Sequence, residues 1–402
     1  MSKLVPKLRF KADDGSEFPE WEEKTFSEIL SENKIPIPKP TNGYERLGIR
    51  SHGKGTFHEY VPAGEGLDVD TMYVVEAYNL ILNITFAWEQ AIAVTDDKDD
   101  GKLVSHRFPQ YKFNAGFDWH YFKYDILDKK LKHELGLASP GGAGRNRVLN
   151  KSDFLKIKRV VPCLNEQQKI ASFLSTIDEI ITTTEAELTA WEERKKGVMQ
   201  KIFNREVRFK ADDGSDFPEW EEKRLGDYLV KFSEVTLNNN QYPALTSSRK
   251  GIFLQDDYYG KQIASEDNTG YNIVPYGYFT YRHMSDDLVF RFNINTIVEY
   301  GIVSTLYPVF TTTDKIDDKF LYYYLNESDR FRKYCFLQKQ GGSRTYMYYN
   351  KLERHVILLP SLPEQKKIAD CLSSLDDVIN QIQAELSAWK EFKRGLLQQM
   401  FV

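Results

Sequence analysis

The chain has 402 residues, 41% of them hydrophobic, 28% charged and 14% aromatic, which is too long for one ordinary core, fits two or three globular domains and excludes a disordered chain. Apolar stretches such as residues 80–84 fall far short of the ~20 residues of a membrane span, no secretory signal is visible at the N-terminus, and the three cysteines carry no CxxC spacing. These features point to a reducing, cytoplasmic setting, and the net charge of −5 excludes a globally basic nucleic-acid binder while leaving room for local basic surfaces.

The chain is written twice. Residues 8–24, LRFKADDGSEFPEWEEK, return as VRFKADDGSDFPEWEEK at 207–223. Residues 162–203 return at 360–401, about half identical, and between these blocks the register survives where similarity fades: Asp118 faces Asp317 and Val104 faces Val303. In chain order the segments are an opening motif (1–30), a variable region (31–155), a long segment (162–203), a second opening motif (207–229), a second variable region (230–355) and a second long segment (360–402).

The variable regions read as mixed α/β globules. Residues 73–83 and 297–307 are β-branched and aromatic, Gly, Asn, Asp and Pro clusters punctuate them, and short helices are expected at 119–131 and 319–336. The long segments predict helices. Ile170, Leu174, Ile177, Ile181, Thr184, Leu188, Trp191, Lys195, Val198 and Ile202 step by four and three, and so do Ile368, Leu372, Leu375, Ile379, Ile382, Leu386, Trp389, Lys393, Leu396 and Met400. That is a coiled-coil seam, and each helix of ~40 residues would run ~60 Å. The fold expected is α+β: two globules joined by two long helices that pack on each other in a coiled coil, with an internal pseudo-two-fold repeat.

Catalytic signatures are missing. The sequence has no GxxxxGK[ST] phosphate loop, no GxGxxG, no GxSxG elbow and no HExxH, and its seven histidines show no metal-ligand spacing. Asp13 with Glu22-Glu23-Lys24, and Asp212 with Glu221-Glu222-Lys223, resemble the acidic-x-Lys element of metal-dependent nucleases, though docking of the Phe-Pro-x-Trp segment onto a neighbour outweighs that reading. No catalytic or metal-binding residue is therefore assigned.

Basic loops recur at matching places. Glycine clusters at 141–144 and 341–342 precede Arg145, Arg147 and Lys151 in one half and Arg344, Tyr346 and Lys351 in the other, within basic runs that include Lys156, Lys158 and Arg159. Glycine allows close backbone approach, and arginine pairs bidentately with phosphate or guanine edges. A second loop pair holds Arg50, His52 and Lys54 against Arg249 and Lys250, with Arg46, Arg282 and Arg291 nearby, and all of these are candidate DNA contacts. Trp21, Trp220, Trp191 and Trp389 are candidate partner-docking residues.

The P-x-L-x-E-Q-x-K-I-A lead into each long segment (Pro162 to Ala171, Pro360 to Ala369), the repeated Phe-Pro-Glu-Trp motif and the doubled arrangement resemble the specificity subunits of Type I restriction–modification systems, over essentially the whole chain. The resemblance implies a non-catalytic reader of double-stranded DNA. Residues 31–155 and 230–355 would be target recognition domains, each for one half of a split, asymmetric site, and the two long helices would form an antiparallel spacer. Two adenine-N6 methyltransferase subunits and restriction–translocation subunits would dock on the chain. S-adenosylmethionine, ATP and Mg would be carried by those partners. A stand-alone Mg-dependent nuclease and a protein-binding scaffold without DNA contact are the alternatives.

Overall fold

A computed structural model of the chain describes residues 6–141, 147–259, 266–339 and 344–401. The chain divides into two compact units, residues 1–185 with 385–402 and residues 186–384. The boundary cuts both long helices midway, so each unit owns one globule, the N-terminal half of one long helix and the C-terminal part of the other. Among the described residues no helix is long and apolar enough to cross a membrane.

In the first unit the strand Glu22–Thr25 pairs antiparallel with Lys158–Val161, closing the globule where its chain enters and leaves. A four-stranded sheet runs in the order Leu30–Asn33, Gln110–Phe113, Leu80–Leu82, Ile92–Val94. A five-stranded sheet runs Pro36–Pro38, Thr71–Val74, Leu103–Val104, Tyr44–Ile49, Thr56–Val61. The stretch 73–83, read as one β-rich segment, is two strands separated by a turn in which Tyr78 takes a left-handed φ of 63°. The helix expected at 119–131 is two, Trp119–Asp125 and Lys129–Leu137, because Asp128 caps the second by accepting from the Lys130 and Leu131 amides. Phe26, Tyr111, Phe122 and Phe154 are fully buried between sheet and helices. Ile170, Leu174 and Ile177 of the first long helix, Leu164–Phe203, share that core with Leu396 and Met400 of the second, Leu362–Met400. The start of one helix therefore lies against the end of the other, and they run antiparallel.

The second unit repeats the plan. Glu221–Arg224 pairs with Val356–Leu359, and a four-stranded sheet runs Leu229–Phe232, Val309–Thr312, Phe279–Tyr281, Phe292–Ile294. The helix expected at 319–336 is again two, Asp318–Glu327 and Asp329–Leu337, interrupted where Ser328 is extended and caps the second. Met199 and Ile202 from the end of the first long helix pack with Ile368 and Leu372 from the start of the second. Every seam position named from the sequence is buried or half-buried.

The two repeated motifs meet in each unit, and their chemistry explains one another. Glu166 is completely buried at the first turn of its helix, where the helix N-terminus favours negative charge. It accepts from Arg9 Nε and Nη2 at 2.8 Å each and from Trp21 Nε1 at 3.1 Å. Glu364, equally buried, accepts from Arg208 Nε at 3.1 Å and Nη2 at 3.0 Å. Gln167 accepts from the Asp118 amide and donates to the Pro162 carbonyl, both at 2.8 Å, and Gln365 does the same with Asp317 and Pro360 at 2.8 Å each. A buried carboxylate must be paired, so the arginine of the opening motif serves the helix-lead glutamate in each unit, joined by Trp21 in the first, whereas the buried Trp220 Nε1 has no hydrogen-bond partner among the described residues.

Candidate nucleic-acid interface

In the second unit the hairpin Leu245–Ser248, Gly251–Leu254 turns through two residues, Arg249 and Lys250, with Gly251 at φ 128° where a side chain would be strained. Both cations stand at the tip. Arg249 Nη2 lies 2.6 Å from Asp287 Oδ1, and Arg344 Nε lies 2.9 Å from the neighbouring Asp286. The short ladder Met284–Ser285 with Thr345–Tyr346 brings the segment after the second glycine cluster against exposed Arg282 and half-buried His283. Tyr346 and Tyr348 stack at 5.5 Å and 13°, and His283 lies 5.0 Å from the Tyr348 ring. The result is one surface with four cations, two tyrosines and a histidine. Its ion pairs are exposed, so each is worth about 0–1 kcal/mol and an incoming phosphate can replace the carboxylate at little cost.

The first unit builds the same junction with other residues. The turn after Tyr44–Ile49 carries exposed Arg50, His52 and Lys54, and three left-handed positions shape it (His52, Gly53 and Gly55 at φ 65°, 64° and 77°). It is seated on the 3-10 turn Ala87–Glu89 by Ser51 Oγ to Glu89 Oε2 at 2.8 Å and by the Gly53 amide to the Gln90 carbonyl at 3.0 Å. The Arg147 guanidinium lies over the Trp88 ring at 5.6 Å, so the segment after the first glycine cluster reaches the other side of that turn. In both units, then, a basic hairpin tip and the segment after a glycine cluster meet at one short connection, Trp88-Glu89 or Asp286-Asp287.

The family model for the Type I restriction modification DNA specificity domain matches residues 73–190 and 219–388, more than half of the chain. The chain belongs to that family. Over 308 residues it is 28% identical to the Type I restriction enzyme MjaVIII specificity subunit of Methanocaldococcus jannaschii, covering 68% of each chain. Its fold is similar to the Type-I restriction-modification system S subunit from M. genitalium (TM-score 0.54, 15% identity, 99% of each chain). It is likewise similar to a chain from a structure concerned with complex assembly and conformational transition of the type I R-M system (TM-score 0.54, 16% identity, 95% of this chain and 96% of that one).

Several residues of this specificity subunit do not stand where the sequence put them. Trp21 and Trp220 are each 6% exposed, inside the cores of their own units, so they present no surface to a partner. Arg147 spends its guanidinium on the Ser139 and Gly136 carbonyls, both at 3.2 Å, closing the end of the helix Lys129–Leu137. Lys351 Nζ donates to the Tyr346 carbonyl at 3.1 Å, bracing the aromatic segment from behind. Arg291 is held by Glu327 at 3.0 Å and by the Tyr322 hydroxyl at 2.8 Å. Arg159, from the basic run, is 3% exposed and paired with Asp125 and Asp128. Lys158 pairs with Glu23 and Lys156 with Asp153. Arg46 pairs with Glu59 at 2.5 Å across its hairpin. Lys151 joins Lys34 and His106 around a separate cavity of about 130 Å³. Arg145 lies outside the described residues. Trp191 is half-buried under Arg194 at 5.0 Å, and Trp389, also half-buried, packs against the first unit's core.

The acidic-x-Lys carboxylates are each engaged separately. Asp13 pairs with Lys169, Glu22 with Lys24 and Glu23 with Lys158, and in the repeat Asp212, Glu221 and Glu222 pair with Lys367, Lys223 and Arg330. Asp286, Asp287 and Glu89, which organise the basic loops, were not singled out from the sequence. Their signal was available: an acidic residue at the same offset from the basic hairpin in both halves.

Proposed function

We propose that this subunit is the DNA reader of a Type I restriction–modification complex and recognises a two-part, asymmetric site in double-stranded DNA, one part through each globule. The observation that carries the reading is the same basic junction built from different residues in two globules on one duplicated scaffold. Equal scaffolds call for equal placement on DNA, and unequal loops call for different bases. Two methyltransferase subunits dock along the long helices, where Trp191 and Trp389 keep part of their surface, and restriction–translocation subunits join that assembly. S-adenosylmethionine, ATP and Mg belong to those partners, this chain contributes no catalytic group, and the complex works in the cytoplasm. Partners that share the phosphate contacts reconcile DNA binding with a chain of net charge −5.

The tip cations supply the test. Lys250 and Arg282 are exposed, and neither makes an ion pair among the described residues. Changing both to alanine in the assembled complex is expected to weaken DNA binding and to reduce the slope of log K against log salt by roughly 2, about one per phosphate contact. Assembly with the methyltransferase subunits stays intact. Normal DNA binding together with failed assembly would reverse the assignment of surfaces.

A further inference from the structure

Two lysines, Lys195 and Lys393, occupy seam positions where an apolar residue is the rule. In the first unit Lys393 of the second long helix pairs with Asp178 Oδ1 of the first, while Tyr124 from the globule helix Trp119–Asp125 donates its hydroxyl to Asp178 Oδ2 at 2.9 Å. Lys393 Nζ also lies 5.4 Å from the Tyr124 ring centroid. In the second unit the roles of the helices are exchanged. Lys195 of the first helix pairs with Asp376 Oδ1 of the second, Tyr323 donates to Asp376 Oδ2 at 2.6 Å, and Lys195 lies 5.4 Å from the Tyr323 ring. Tyr124 and Tyr323 are 4% and 5% exposed, and burial with the nearby carboxylate raises their pKa well above the usual tyrosine value. Each phenol therefore stays protonated and donates.

We propose that this Tyr–Asp–Lys clamp, built once in each unit, fixes each recognition globule on the paired helices and so holds the gap between the two half-sites to a single length. The inference rests on the two-part reading above. Each clamp joins three elements at once, globule, first helix and second helix, through one carboxylate. A packing anchor needs only apolar surface, which tolerates rotation, whereas hydrogen bonds to both oxygens of a carboxylate fix direction as well as distance. The globules diverge in sequence, yet both keep the clamp, with the same atoms in the same roles. These are positioning residues: none of them lies in the basic junctions.

The test compares the intact subunit with Tyr124→Phe, Tyr323→Phe and Lys393→Arg, each assembled with its methyltransferase subunits, by mapping methylated adenines over a library of sites whose gap varies by single base pairs. The intact subunit and Lys393→Arg, which keeps the cation, are expected to use one gap. Either Tyr→Phe variant, which keeps the ring and loses the donated bond, is expected to raise methylation at gaps one base pair longer or shorter by about tenfold, with the bases read in each half unchanged. A single gap retained in both variants would overturn the proposal, and so would a Tyr→Phe chain that failed to assemble, since the role would then be structural only. An intact subunit that shows no two-part motif would instead refute the underlying reading of function.

Discussion

Arg159→Ala is expected to lower the stability of the first unit by about 3–5 kcal/mol, the usual cost of removing one partner from a buried ion pair. Arg159 and Asp125 are 3% and 1% exposed, joined by two parallel bonds of 2.9 and 2.8 Å, and Arg159 Nη1 reaches Asp128 at 3.1 Å. Alanine leaves the Asp125 carboxylate buried without a counter-charge and loosens the residue that caps the helix Lys129–Leu137. The second unit places Tyr324 and Ile357 at the matching positions, both buried, so the repeat itself shows that the site can be filled without charge. For a unit of this size the loss corresponds to a fall in melting temperature on the order of 10 °C. Because two units need not unfold together, the change should appear in one of two transitions in calorimetry. The double variant Asp125→Ala with Arg159→Ala should recover part of the loss. A single-variant effect below about 1 kcal/mol would contradict the role given to the pair.

The second unit, in turn, should be the acid-sensitive one. His355 is 2% exposed, its Nε2 lies 2.8 Å from the Tyr324 hydroxyl, and the Tyr334 and Phe331 rings pack on it at 4.5 and 5.1 Å. Burial, with a smaller contribution from the Arg330 charge, pushes its pKa down from 6.5 to about 4. A folded-state value below the unfolded one means that protons bind the unfolded chain more tightly. The stability is fully present above pH 6.5, falls as the pH drops through the window from 6.5 to about 4, and the loss reaches about 3 kcal/mol at the acid end. The first unit carries the apolar Ile157 at the matching place. Urea unfolding at pH 7.5 and pH 5 should therefore separate the two transitions, the second unit losing about 2 kcal/mol more than the first. His355→Ile should remove that difference, and an equal response of both units at pH 5 would refute it.

What the sequence made legible, and what it hid, follows from periodicity and burial. Repeats and seams are one-dimensional signals, so the doubled plan, both long helices and their packing on each other were readable, while the opening and helix-lead motifs carried the family and, through it, the antiparallel direction. Charge along a chain does not reveal where the charge goes after folding. Arg50 and Arg159 look alike in a basic run, yet one is exposed and stacks on Phe57 while the other closes a buried ion pair. Arg147 and Lys351 sit beside the glycine clusters as expected but bond backbone carbonyls. Trp21 and Trp220, in the repeated Phe-Pro-Glu-Trp motif, were candidates for docking, whereas both are buried and Trp21 serves the Glu166 carboxylate. Lys195 and Lys393 were read only as seam members, because their partners Asp376 and Asp178 lie on the opposite helix about two hundred residues away in sequence.

The central claim is that each globule reads its own half of the DNA site. Its most direct test is to replace residues 31–155 with the corresponding region of another family member, assemble the chimera with the methyltransferase subunits, and map every methylated adenine in host DNA for chimera and parent. The parent should show a two-part motif. The chimera should keep one half and the gap unchanged while the other half is exchanged for the donor's. A folded, active chimera whose motif changed in both halves, or in neither, would contradict it.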